Sequence, residues 1–62
     1  MNAAPIYVPV KQIVAQFGYS RATVHRRLSA GEFKGKKDGR ITLVLLSSVR
    51  DYIERLPDRH RA

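Results

Sequence analysis

Apolar side chains recur at Val10, Ile13, Val14 and Phe17, with Lys11, Gln12 and Gln16 between them. Such spacing gathers the apolar groups on one face of a helix, so a first helix is predicted over Val10–Phe17. Gly18 follows at once and predicts a left-handed cap. Pro9 stands at the helix start, where a missing N–H is tolerated. Ser20 predicts the N-cap of a second helix, over Arg21–Ala30, closed by Gly31. Val24 and Leu28 are one turn apart and face inward. The opposite face carries Ala22, Arg26 and Ser29, flanked by Thr23 and His25.

Past Gly31 the period changes from helical to alternating. Ile41, Leu43 and Leu45 alternate with Thr42 and Val44, so one side of a strand is expected to pack on the helices. The predicted hairpin has arms Phe33–Lys36 and Arg40–Leu45. Lys37-Asp38-Gly39-Arg40 forms its turn, as a type I′ turn with positive φ at both central positions. Val49, Tyr52, Ile53 and Leu56 then return to helical spacing and predict a third helix over Leu46–Leu56, stopped by Pro57. Arg50–Glu54 and Asp51–Arg55 are opposite charges at i, i+4, each worth about 0.2–0.5 kcal/mol if paired. The layout is helix, three-residue turn, helix, hairpin, helix. It predicts a small α+β domain, mainly α, of winged helix-turn-helix type with the hairpin as the wing. Residues 1–62 are expected to form one domain with a core over about 6–56 and a frayed basic tail at 57–62.

Composition narrows the chemistry. A chain of 62 residues can bury only about 60% of its unfolded surface, and with no cysteine it has neither disulfides nor a thiolate metal site to reinforce it. Twelve Lys and Arg against five Asp and Glu give a formal charge of +7, which points to a polyanionic partner. The plainer alternative is a solvated basic surface with no specific ligand. No apolar run nears the length of a membrane span, and the first ten residues have no basic leader segment. A cytoplasmic location without membrane contact is expected. His25 and His60 are distant and lack acidic or cysteine companions, so no metal site is expected. No carboxylate pair, nucleophile–base pair or phosphate-cradling loop is present, so neither an enzyme nor a cofactor is expected.

The charges fall where duplex DNA could be read. A helix fits the major groove and its N-terminal half reaches base edges. Arg26 projects from the outer face and can bond guanine O6 and N7 in a fork. Thr23 and His25 offer shorter contacts around Ala22, and Ser20 and Arg21 sit at the positive end of the helix, where phosphate binds. Arg27, nearer the core edge, is expected to reach sideways to a backbone phosphate. Lys34, Lys36, Lys37 and Arg40 crowd the hairpin and suit phosphates beside the minor groove. Lysines on a two-stranded ribbon also discourage aggregation, and both roles can hold together. A basic RNA-binding or protein-interaction module is a rival reading. It is weakened by the lack of exposed aromatics on the sheet, where at most Phe33 is available.

Gly18-Tyr19-Ser20-Arg21-Ala22-Thr23-Val24 resembles the G-V-S-x-x-T-V core of bacterial helix-turn-helix proteins. The longer run from Tyr7 to Leu56 is similar to the MerR-like winged-helix domains of excisionases and AlpA-type regulators. Val10-Lys11-Gln12-Ile13-Val14 and Tyr52-Ile53 match its two ends. Three positions depart from the pattern: Pro9 for a capping Thr or Ser, Val14 for Ala, and Gln16 for an apolar residue. Val14 is expected to push the first two helices slightly apart. The resemblance implies a recombination directionality factor that bends attachment-site DNA and assists an integrase, with further copies of itself bound alongside. An AlpA-like transcription regulator is the alternative on the same fold.

Overall fold

The computed structural model describes residues 4–59. Strand β1 (Tyr7–Pro9) leads into helix α1 (Val10–Phe17), followed by α2 (Arg21–Ser29), β2 (Gly35–Asp38), β3 (Ile41–Leu45) and α3 (Leu46–Glu54). The fold is mixed α+β. Its three helices accompany an antiparallel sheet of order β1-β3-β2, so the sheet has three strands rather than the two predicted. The added strand pairs Tyr7 with Leu45, Val8 with Val44 and Pro9 with Leu43. A three-residue strand that ends on Pro9 is too short to show alternation. Pro9 belongs at such an edge, where its missing N–H breaks no ladder. The pairing is extended by the Leu46 N–H, which donates to the Ile6 carbonyl at 2.9 Å.

Helix α1 has the predicted limits. Gly18 caps it with φ 79°, and its N–H donates to the Val14 carbonyl at 3.0 Å. Ser20 caps α2 from its side chain. Its hydroxyl accepts from the Thr23 N–H at 3.1 Å and donates to Thr23 Oγ1 at 2.9 Å. The helix ends at Ser29, one residue earlier than expected.

Both ends of the first hairpin arm differ from expectation. Asp38 pairs with Ile41, which leaves Gly39 and Arg40 as the two-residue loop, one position further along than predicted. Gly39 has φ 63°, and no described non-glycine residue has positive φ. Positive φ at the first central position alone is the type II′ pattern, not type I′. Only the glycine takes the left-handed backbone, and Asp38 stays extended in the ladder. At the other end, β2 begins at Gly35, because Phe33 leaves the strand path and is 99% enclosed in the core. Gly35 is needed for close approach. A Cβ there would collide with the Leu43 carbonyl oxygen and lie 3.0 Å from Leu28 Cδ2.

The core unites Val8, Val10, Ile13, Val24, Phe33, Val44 and Val49. Burial of each large apolar side chain contributes about 1.5–3 kcal/mol. Val44 identifies the side of β3 that packs on the helices, while Ile41 on the other side is 53% exposed. Phe33 meets Tyr52 edge-on at 5.4 Å and tilts against Tyr19 at 5.8 Å, joining the α1–α2 turn to α3. Strand β2 contributes no buried side chain. Ser48 is buried and works as a clamp: the Lys34 N–H donates to its Oγ at 2.9 Å, and its hydroxyl donates to the Leu45 carbonyl at 2.7 Å. Together with the Leu45 N–H bond to the Lys34 carbonyl at 2.8 Å, this fixes the base of the hairpin to α3.

Helix α3 stops at Glu54, short of Leu56, which lies outside the core and is 45% exposed. The expected Arg50–Glu54 and Asp51–Arg55 pairs do not form. Among the described residues the ion pair within 4 Å is Arg27–Glu32. On a short exposed helix the entropy of ordering two long side chains outweighs a weak attraction. Residues 57–59 are irregular and exposed, and 60–62 of the expected tail lie outside the described residues. No described helix is long and apolar enough to cross a membrane.

Candidate nucleic-acid interface

Helix α2 packs inward through Val24, with Arg27 and Leu28 half-buried beside it. Its exposed face presents Arg21, Ala22, His25, Arg26 and Ser29, and Thr23 is half-buried at one margin. Ser20 is exposed, but its hydroxyl is already engaged in the cap. The first turn carries no acidic residue, so nothing on the helix neutralises the positive end of its dipole. Ala22, between Arg21 and Arg26, keeps the surface low enough for a flat partner to approach.

Arg27 does not join this face. Its guanidinium lies 4.8 Å from the Tyr52 ring centroid, and Nη1 donates to Glu32 Oε1 at 3.2 Å. The Arg27 carbonyl also accepts from the N–H groups of Glu32 and Phe33, at 2.9 and 3.2 Å. In this arrangement the Arg27 guanidinium is engaged by Tyr52 and Glu32 rather than extended from the outer face, where the phosphate contact was expected. About 100° per residue turns it away from Arg26, and it fastens the α2–β2 loop over the aromatic cluster instead.

The hairpin cations divide. Lys36 sits opposite Leu43, and its ammonium lies 5.2 Å from the Tyr7 ring centroid on the outer side of the sheet. Lys37 sits opposite Thr42, on the alternate side. Lys34 precedes β2, with its backbone held by Ser48 and Leu45 and its side chain exposed. Arg40 occupies the loop.

A cleft of about 270 Å³ opens between α1, α2 and this loop, lined by Pro9, Val10, Lys11, Arg21, His25, Arg40, Ile41 and Thr42. The predicted residues Arg21 and His25 from α2 and Arg40 from the hairpin meet there, and among the described residues no carboxylate lines it. Three permanent cations within one small concavity repel one another and favour an anion between them. Comparison with protein-family models, with curated proteins and with solved structures finds no match to this chain.

Lys11 is the member of the cleft that sequence reasoning missed. On the helical pattern of α1 it reads as part of a solvated face. Its place depends on β1: Pro9 pairs with Leu43, which brings the first turn of α1 beside the start of β3 and the hairpin loop. Among the described residues no group of acidic, histidine or cysteine side chains could hold a metal ion.

Proposed function

We propose that this chain is a winged helix-turn-helix protein that binds duplex DNA, with α2 in the major groove and the β2–β3 hairpin as the wing. The observation that carries this reading is the pairing of two exposed basic elements on one framework. The outer face of α2 follows a capped three-residue turn, and β2 is a strand with every residue exposed and two adjacent lysines. A helix about 10–12 Å across fits a major groove about 12 Å wide, and the nine residues of α2 run about 14 Å along it. Arg26 is the base reader, and Arg21, His25, Lys37 and Arg40 hold phosphates. Within this class, the resemblance of Gly18–Val24 and of the flanking helices to excisionases supports a recombination directionality factor that works with an integrase.

Two titrations test the reading. With about five phosphates neutralised, affinity for duplex DNA falls with salt at a log–log slope of about −4.5. Arg26→Ala costs about 1–3 kcal/mol on a preferred site and relaxes selectivity, whereas Lys37→Ala weakens preferred and random duplexes alike. A slope near zero, or tighter binding to a matched RNA duplex, refutes duplex-DNA recognition. Bending of an element's own end sequences by the protein supports the excisionase role. Binding confined to a promoter, with no effect on integrase-driven excision, supports a transcription regulator instead.

A further inference from the structure

The geometry points to the cleft between α1, α2 and the hairpin loop as a single-phosphate site whose occupation draws a proton onto His25. This rests on the duplex reading and adds a chemical linkage to it. A helix in the major groove and a hairpin beside the minor groove must straddle the phosphate ridge that divides the two grooves. On this molecule the space between α2 and the loop is the cleft, and its cations come from three separate elements: Lys11 of α1, Arg21 of α2 and Arg40 of the loop.

His25 lines the same cleft and is exposed. Among the described residues, the charged groups that line it with His25 are these three cations. Asp38, beside the loop, does not line the cleft. A phosphodiester seated among the three cations favours imidazolium beside it, because it supplies negative charge and an acceptor for the ring N–H. Imidazole as a class titrates near neutrality, so proton uptake on seating the anion falls in an accessible pH range. The balance is at most one proton taken up per phosphate seated, with no covalent change. Since the complex holds more protons than the free partners, affinity must fall as pH rises through neutrality.

The test is duplex affinity at constant ionic strength from pH 6 to pH 8, for the full chain and for His25→Gln, His60→Gln and Arg40→Ala. A duplex set carrying one uncharged methylphosphonate at each backbone position in turn completes the design. One proton changes affinity by at most about tenfold per pH unit, and a partial uptake predicts about fivefold weaker binding at pH 8 than at pH 6. That dependence persists in His60→Gln and flattens to less than about twofold in His25→Gln. At one backbone position the methylphosphonate abolishes it and leaves Arg40→Ala without further effect. Affinity independent of pH, or a dependence that survives His25→Gln, overturns the inference and leaves duplex binding standing. Absence of duplex binding at every pH overturns both.

Discussion

Ser48→Ala isolates the clamp that holds the hairpin to α3. The change leaves the Lys34 N–H, part-buried behind the hairpin base, without its acceptor at 2.9 Å. The Leu45 carbonyl also loses a donor at 2.7 Å, but it caps α3 and retains the helical position to accept from residue 49. The main cost is one orphaned donor, about 1–3 kcal/mol. Alanine returns up to roughly 0.5 kcal/mol of helix propensity, so the net loss is about 1–2 kcal/mol. In a domain this small each kcal/mol moves Tm by about 4–8 °C, which predicts a fall of roughly 5–15 °C in a calorimetric or circular-dichroism melt. Ser47→Ala is the internal control. It sits in the same turn of α3, is exposed, makes no side-chain hydrogen bond, and is expected to be neutral or slightly stabilising. Amide exchange adds a local readout, with Lys34 losing protection in Ser48→Ala alone. Equal melts for the two variants, with Lys34 protection unchanged, would refute the clamp.

Gly39→Val strains a loop position held at φ 63°, and is expected to broaden or shift the amide resonances of Lys37–Ile41 and to weaken duplex binding; unchanged spectra would place the turn elsewhere. Arg27→Ala removes a guanidinium from the Tyr52 face and a half-exposed ion pair, for about 1 kcal/mol in a denaturant melt, yet leaves duplex affinity within about twofold. A tenfold loss of affinity would return Arg27 to the interface. Neighbouring sites on one duplex are expected to fill cooperatively, since one helix of nine residues covers about half a turn of DNA; independent occupancy of one-, two- and three-site arrays would exclude this.

Much of the helical structure was legible because local signals agreed. The Val10–Phe17 stripe ends at a glycine that takes the left-handed backbone, and Ser20 makes the side-chain bond a cap residue should. Where signals were non-local, reading failed. Phe33 reads as core or core-edge, and it is buried, but its expected place in the strand arm fails because it leaves the strand path to meet the distant rings of Tyr19 and Tyr52. The Asp-Gly pair suggested one turn, and the register of Lys36 against Leu43 and Asp38 against Ile41 selected another. The basic residues of the candidate site were visible individually. Their convergence was not, because Lys11 reaches the cleft through a strand too short to announce itself, and because the helical phase alone did not reveal that Arg27 would settle on Tyr52.

The pairing of β1 with β3 bears on how the chain reaches its native state. The β2–β3 ribbon closes over a two-residue loop, a local event on a microsecond scale. Tyr7 must find Leu45 across more than half of the sequence, with both earlier helices lying between them. Loop-closure entropy is therefore spent before Val8 can reward it with burial against Val44, and contacts of this range slow folding. The docking of the first strand is expected to come late and to complete the sheet and the Val8 side of the core in one step. Until then β3 presents an unpaired backbone edge, and the interval before β1 arrives is when two nascent chains can pair with each other instead of with themselves.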